Sequence, residues 1–165
     1  MVSEVNFPTN TFLNGKESDS YYRDAFAVKS RRTNLGAKYV YHSVFAFLPN
    51  FIQSIIRILS RIVKIFGFSG FGCPVFFEYN AIYKGRKIGP LTFDKINGKE
   101  LVVVADEKHM DIWVSVLKVT ETKFIISTLI NFKTKRGRIY MKIMKPFHQF
   151  LTKFSIKQAM KSRRI

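Results

Sequence analysis

The C-terminal part of the chain has the spacing of a helix. From residue 137 to 160, apolar residues recur every three or four positions, which is the period of one helix face. Pro146 lies inside this pattern and must either kink the helix or begin it, because it cannot donate to the carbonyl four residues earlier. The apolar phase continues through Pro146, so we predict one long helix, kinked near that residue and packed across a sheet. The predicted face comprises Ile139, Tyr140, Ile143, Phe147, Phe150, Leu151 and Phe154.

Two shorter helices are predicted after a first strand at residues 21–28. One covers residues 37–47. The other, residues 51–66, is the most amphipathic segment of the chain, and Gly67 follows it at the position of a left-handed cap. Charged residues keep its apolar run below the about 20 residues that a membrane span needs, so no integral membrane segment is expected. We expect this helix to face the core, with a position on a membrane surface as the alternative.

From residue 89 the pattern becomes strands and tight turns. Asn97-Gly98 is a strong hairpin signal, and short polar groups separate the other strands. The chain is therefore predicted to be an α+β protein, with an antiparallel meander and helices on one face of the sheet. A flexible N-terminal arm at residues 1–19 precedes a single domain at residues 20–165. The predicted strands of the meander are 91–96, 100–105, 109–119 and 123–132.

The composition of the chain indicates a reducing compartment and excludes two kinds of cysteine-based site. The chain has 165 residues, is 47% hydrophobic and contains a single cysteine, Cys73. One cysteine excludes an internal disulfide and a cysteine-based zinc cluster, and it fits a reducing compartment. The N-terminus lacks the basic start and apolar core of a signal peptide, so a cytoplasmic location is expected.

The positive charge is unevenly distributed along the chain. The net charge is +17, and no acidic residue lies between Asp24 and Glu78 or after Glu121. The helices therefore carry the positive charge and the sheet carries the acids. Two interpretations remain open: solvated helix faces, or weak contact with an anionic partner such as membrane headgroups or nucleic acid.

Few residues form a recognisable catalytic pattern. His109 and Asp111 are two apart on a predicted strand and so share a face, where they could act as an acid–base pair. Two such groups without a third do not make a metal site, so neither a metal nor another cofactor is expected. The alternative is that they tie the strand to its neighbours, with Arg138 of the long helix pairing with Asp111. His148 is expected to bond the carbonyl that Pro146 leaves free.

Four motifs carry a resemblance to a known family. GRIYMKIMKPFH at 137–148 resembles the Gly-Arg-x-Tyr…Pro-Phe-His signature of the bacterial family catalogued as domain of unknown function 2867, DUF2867. The segments LPNFIQSIIRILSRIVKIFGF, VVVADEKHMDIWVSV and GPLTF resemble other parts of the same family. The resemblance covers roughly residues 21–160 in the family's order. The chain departs from the family pattern at Asn50 and at Lys133-Thr134.

The family is uncharacterised but is similar to the START-like, or SRPBCC, helix-grip superfamily. That similarity implies a curved antiparallel sheet around the long C-terminal helix, with a cavity between them. Members of the superfamily bind apolar molecules, and a minority are cyclases or hydrolases. Three functions therefore compete: binding of a small apolar ligand, docking of a basic surface on anionic membrane or nucleic acid, and a polyketide-cyclase-like activity with His109, Asp111 and Tyr140 as candidate residues. The residues expected to line the cavity are Trp113, Phe132, Phe147 and Phe150, with Asp111, His109 and Tyr140 as its polar groups.

Overall fold

A computed structural model describes residues 2–65, 67 and 77–165 of the chain. The described residues form an α+β fold with a curved, seven-stranded antiparallel sheet and three helices. Cys73 lies outside the described residues, as do residues 68–76 of the connector into the sheet that the sequence predicts at 68–77.

The strands are β1 at Val2–Glu4, β2 at Tyr21–Lys29, β3 at Lys87–Ile88, β4 at Leu91–Ile96, β5 at Glu100–Asp106, β6 at Met110–Lys118 and β7 at Lys123–Phe132. The helices are α1 at Ala37–Phe45, α2 at Asn50–Ile65 and α3 at Lys135–Lys161. A short 3-10 turn covers Tyr79–Ala81. The sheet has the strand order β1-β2-β7-β6-β5-β4-β3, so β2 and the C-terminal strand β7 are neighbours.

Most predicted elements are present within one or two residues of their expected ends. The long helix is continuous through Pro146, so the proline does not begin it. Gly67 has a φ of 81°, the left-handed conformation predicted for the end of α2. The β4–β5 hairpin is confirmed, and Asn97 closes its turn by accepting hydrogen bonds from the backbone N–H groups of Lys99 and Glu100 at 2.8 and 2.7 Å.

Parts of the predicted N-terminal arm, residues 1–19, contact the sheet. Residues Val2–Glu4 pair with β2 as an edge strand, and Leu13 is fully buried. The buried carboxylate of Glu100 holds this segment, because it accepts hydrogen bonds from the Thr11 hydroxyl and the Phe12 backbone N–H. A buried carboxylate lowers the stability of a protein unless hydrogen-bond donors surround it. The N-terminal segment therefore stabilises the fold by supplying these donors.

The sheet has two covered faces, and alternate residues of each strand reach different ones. On β2, Phe26 and Val28 enter the main core with Val40 and Ile156 of the helices. On the opposite face, a smaller cluster of Leu13, Val102 and Leu129 packs with Phe7 and Trp113. The N-terminal segment therefore covers one face, and the helices cover the other.

The start of α3 is fixed against the turn that precedes β6. Thr134 caps the helix by accepting from the Gly137 backbone N–H at 3.3 Å, and His109 Nδ1 lies 3.0 Å from the same Thr134 hydroxyl. The backbones are so close that a Cβ placed on Gly137 would lie 2.4 Å from the His109 carbonyl oxygen. Only glycine fits there without displacing one of the two elements.

The buried face of α3 differs from the predicted apolar face. The buried residues include Met141, Thr152 and Ser155, whereas Ile139, Ile143 and Phe150 are 61%, 69% and 52% exposed. Successive helix residues point about 100° apart, so the seven predicted positions share one side of the helix, and α3 is turned so that only the edge with Tyr140, Phe147 and Leu151 lies toward α2 and the sheet. Part of the predicted face therefore points away from the sheet.

None of the described helices alone is long and apolar enough to cross a bilayer. Among the described helices, one pair is long and apolar enough when its two members are counted together. This pair is Ala37–Phe45 with Asn50–Arg61, and the chain bends by 83° between the two helices.

Replacing Gly137 with alanine should destabilise the protein, because the new Cβ would press on the His109 carbonyl. Overpacking of this kind lowers the free energy of unfolding by about 1–3 kcal/mol. Thermal denaturation followed by circular dichroism measures the effect. Gly98→Ala is the control, since nothing lies within 4 Å of the added Cβ there. Equal melting temperatures for the two variants would contradict the close contact between Gly137 and the His109 backbone.

Candidate functional site

An apolar cavity of about 190 Å³ lies between α2, α3 and the sheet. A dry cavity of about 150 Å³ is large enough to hold benzene, so this one accommodates a molecule with a single ring. Its lining is aliphatic, aromatic and sulfur-containing, with few polar groups. The lining residues are Ile56, Leu59, Ser60, Met110, Ile130, Tyr140, Met141, Met144, Phe147, His148 and Leu151.

A second cavity of about 220 Å³ adjoins the first. Both are lined by Ile56, His148 and Leu151, so these three side chains stand between them. The second cavity extends toward α1 and β5, and Thr152 and Ser155 of α3 contribute hydroxyl groups to it. His148 is the ionisable side chain common to both.

A buried carboxylate lies next to His148. The Asp24 side chain is only 2% exposed, and its Oδ2 lies 3.4 Å from His148 Nε2. This distance permits an ion pair, but the two groups are not aligned as a hydrogen bond. In the described part of the chain, Asp24 Oδ1 and His148 Nε2 are both buried without a hydrogen-bond partner.

Tyr22 completes this polar group. Its hydroxyl donates to Asp24 Oδ2 at 2.6 Å and accepts from Gln149 Nε2 at 3.3 Å. Burial, followed by the hydrogen bond to Asp24 and the charge of Asp24, raises the pKa of Tyr22 well above its usual range. The phenol therefore stays protonated and remains a donor to the carboxylate. The residues Asp24, His148 and Tyr22 are called the polar wall below.

The polar wall was not predicted as a site, although the sequence carries a signal for it. Tyr22, Asp24, Phe26 and Val28 occupy alternate positions of one strand. An acid within that alternation must face the same core as its apolar neighbours. His148 Nε2 lies 3.4 Å from Asp24 Oδ2, and the expected bond from His148 to the carbonyl freed by Pro146 stays a prediction.

His109 and Asp111 make structural contacts outside the two cavities. His109 holds the Thr134 cap of α3. Asp111 pairs with Lys133 at 2.7 Å, so the predicted partner Arg138 is wrong. Lys133 also binds Asp106, and this hydrogen bond lowers the pKa of Asp106. The alternative interpretation of the sequence, in which these residues tie the strand to its neighbours, fits this geometry.

The other predicted cavity residues are only partly brought together. Tyr140 and Phe147 line the first cavity, and Phe132 packs beside it with Met110 and Ile130. Trp113 lies in the cluster on the other face of the sheet, and Phe150 is 52% exposed on α3. Trp113 is misplaced by strand alternation: Met110 and Ile112 face the helices, so Asp111 and Trp113 face the opposite side.

The described residues also define the metal-binding potential of the fold. Among residues 2–65, 67 and 77–165, no three His, Cys, Asp or Glu side chains lie together so that they could hold a metal ion. The polar wall contributes one carboxylate and one imidazole, which suits hydrogen bonding and proton transfer.

The pKa of Tyr22 has a consequence for stability at high pH. The folded state holds this proton more tightly than the unfolded state, so its stabilising effect is complete below the usual tyrosine value of 10.0 and is lost as the pH rises above it. Wild type should therefore lose more unfolding free energy than Tyr22→Phe between about pH 8 and about pH 11. Urea denaturation at both pH values measures this difference. Tyr21→Phe, at the exposed neighbouring position, should behave as wild type, and equal losses in all three proteins would contradict the assignment.

Comparison with known proteins identifies the family of the chain. A family model described as "Protein of unknown function (DUF2867)" matches residues 17–154. No curated protein matches the chain. No solved structure matches it, and the likeness to the helix-grip superfamily stays a prediction. The matched residues make up more than half of the chain and contain the motifs that resemble the family, so the chain belongs to the DUF2867 family.

Proposed function

We propose that the chain binds a small, mostly apolar molecule in the two adjoining cavities between the sheet, α2 and α3. The observation that carries the proposal is an apolar lining interrupted by a few polar side chains, of which His148 is common to both cavities. Ligand sites in proteins typically combine an apolar surface with a few polar groups that fix orientation. The size of each cavity favours a molecule with one ring or a short chain over a drug-sized ligand.

The helix α2 contributes to the proposal because it covers the first cavity. Ile56, Leu59 and Ser60 are its contacts with that space. Exposed positions such as Phe51 and Ile58 show that α2 is less deeply packed than α1, in which Val40 and Val44 are fully buried. The first cavity is partly open to solvent beside α2, which gives a ligand a path of entry.

The proposal assigns no reaction. The candidates for a polyketide-cyclase-like activity were His109, Asp111 and Tyr140, and of these only Tyr140 lines a cavity. His109 and Asp111 have structural partners in Thr134 and Lys133. Binding is therefore the function that the geometry supports best.

Filling the first cavity should abolish ligand binding. Apolar probes with a single ring, such as toluene and ethylbenzene, should raise the melting temperature of the wild type, by about 3–6 °C at a concentration of about ten times Kd. Met144→Trp places a large side chain in the cavity, so these shifts should disappear. Ile143→Trp is the matched control, because the neighbouring side chain is 69% exposed. Absence of any shift in the wild type, or equal shifts in both variants, would contradict the proposal.

A second candidate function follows from the exposed apolar residues of two helices. Ile139, Ile143 and Phe150 share one side of α3, and Phe51 and Ile58 are exposed on α2. Phe154 connects the two helices, since its ring lies 5.6 Å from that of Phe51 and 6.0 Å from that of Phe150. These residues form a nearly continuous surface, called the apolar stripe below.

The charges around the apolar stripe favour an anionic membrane surface as its partner. No acidic residue occurs in α1, α2 or α3. A second copy of a chain with a net charge of +17 would be repelled. Nucleic acid would not use the aliphatic side chains, whereas a bilayer with anionic headgroups fits both features. The exposed cations on α2 and α3 are Arg57, Arg61, Lys64, Lys135, Arg136, Arg138, Lys142, Lys145, Lys157 and Lys161.

Vesicle binding tests this second function. The chain should cosediment with phosphatidylserine-containing vesicles and much less with neutral phosphatidylcholine vesicles, and salt should weaken the binding. The double variant Ile139→Ser, Ile143→Ser should bind at least about tenfold more weakly, because both side chains lose apolar burial. Val119→Ser, at an exposed apolar position after β6, is the control. Unchanged binding by the double variant, or equal binding to neutral vesicles, would exclude a role for the stripe.

A further inference from the structure

We propose that the hydroxyl groups of Thr152 and Ser155 form a subsite for a carbonyl oxygen in the second cavity, so that the ligand is a small, neutral ketone or aldehyde with an apolar body. This inference rests on the proposed function, since it names the chemical class that the cavity selects.

Thr152 and Ser155 both line the second cavity, which has a volume of about 220 Å³. They are three positions apart on α3, and residues at that spacing share one face of a helix with their Cβ atoms about 5–6 Å apart. The two residues are buried, with exposures of 7% and 3%. Two hydroxyl groups are therefore presented side by side to one mostly apolar space.

The two hydroxyl groups are not used within the helix. A serine or threonine inside a helix can donate to the carbonyl four residues earlier, and Ser162, at the C-terminal end of α3, does so to Gln158 at 2.7 Å. In the described part of the chain, neither Thr152 nor Ser155 makes such a bond. Neither hydroxyl oxygen is fully enclosed, in contrast to the unpartnered Ser127 hydroxyl of β7. Both hydroxyl groups are therefore within reach of a molecule in the cavity that they line.

The charges around the second cavity disfavour an ionic ligand group. Among the described residues that line it, none is Asp, Glu, Lys or Arg, and the ionisable ones are Tyr41 and His148. An ammonium group would be buried there without an anionic partner, which is strongly unfavourable. A carboxylate near His148 would be repelled, because the Asp24 carboxylate already lies 3.4 Å from that imidazole. The polar group of the ligand is therefore neutral.

A carbonyl oxygen matches the two hydroxyl groups better than an alcohol does. Each hydroxyl has one proton to donate, and a carbonyl oxygen has two lone pairs, so it can accept from Thr152 and Ser155 together. An alcohol adds a third proton. If the alcohol donates to one of the two hydroxyls, the proton of that hydroxyl has no acceptor, and if it accepts from both, its own proton has none. A buried donor without an acceptor weakens binding.

The rest of the second cavity fits an apolar body with one ring. Strands β5 and β6 line it with aliphatic side chains, among them Val103, Ile112 and Val114. A ligand that directs its carbonyl group to α3 therefore lays its apolar part against the sheet. A cavity of about 150 Å³ holds benzene, so this larger one has room for a ring with a short carbonyl substituent.

The test compares three probes with the same carbon skeleton on the full chain: acetophenone, 1-phenylethanol and ethylbenzene. Titration calorimetry or NMR chemical-shift titration measures the affinities. Wild type should bind acetophenone at least about fivefold more tightly than 1-phenylethanol, because the alcohol leaves one buried proton without an acceptor.

Two variants each remove one hydroxyl group and little else. Thr152→Val and Ser155→Ala should each lower the affinity for acetophenone about fivefold, the effect of one hydrogen bond, and leave the affinity for ethylbenzene within about twofold. If circular dichroism shows that one variant is unfolded, the other decides the question. Ser43→Ala is the matched control, because Ser43 is a buried helix serine that lines neither cavity. It should bind all three probes as wild type does.

Infrared spectroscopy of bound acetophenone supplies a second measurement. The carbonyl stretch should move to higher frequency in the double variant Thr152→Val, Ser155→Ala, because the carbonyl oxygen loses both donors. An unchanged frequency would overturn the subsite, since the carbonyl would then not contact these hydroxyl groups.

The remaining outcomes separate the subsite from the proposed function. If wild type binds 1-phenylethanol as tightly as acetophenone, or binds only ethylbenzene, the carbonyl subsite is overturned and the proposed apolar binding stands. If both variants weaken acetophenone and ethylbenzene by the same factor, Thr152 and Ser155 only shape the cavity, and the subsite is overturned as well. If none of the probes binds to wild type, the proposed function fails, and the subsite fails with it.

Discussion

The close contact between Gly137 and the backbone of His109 determines how α3 lies on the sheet. It brings the first turn of the helix against the start of β6, and the Thr134 cap with its His109 contact holds that turn in place. A helix fixed at one end has little freedom to rotate about its axis. The contact therefore decides which side chains of α3 reach the cavities and which remain in solvent.

The resulting orientation of α3 is unusual for a core helix. Its inner side presents His148, Thr152 and Ser155 beside the apolar Met141 and Ile156, and its outer side presents Ile139 and Ile143. Burial of polar groups and exposure of apolar ones both lower the free energy of unfolding, so this arrangement makes the isolated fold less stable. Such costs are often found where a protein binds something. The two proposed functions use opposite sides of the same helix, and they can therefore be tested separately.

The sequence predicts the helices and strands of this fold better than it predicts which residues of different elements contact each other. Alternation and turn signals located the strands, and the period of α3 was visible despite Pro146. The side of a strand that faces the helices is not encoded locally, so Trp113 and Asp111 were placed on the wrong face. Asp24 and His148 are far apart in sequence and meet only because β2 and α3 pack together. The kink at Pro146 and the division between residues 1–19 and 20–165 stay predictions.

The separation of acids from helices gives the molecule a permanent electric dipole. All three helices are free of Asp and Glu, whereas the acids lie on strands, in turns and in the N-terminal segment. The positive end of the dipole is on the helix side, and the other face of the sheet is less positive. A charged surface would exert a torque on the protein before contact, and this torque would turn the helices toward any anionic body that it approaches. The protein would then be oriented while it diffuses, when it is about one Debye length from the charged surface.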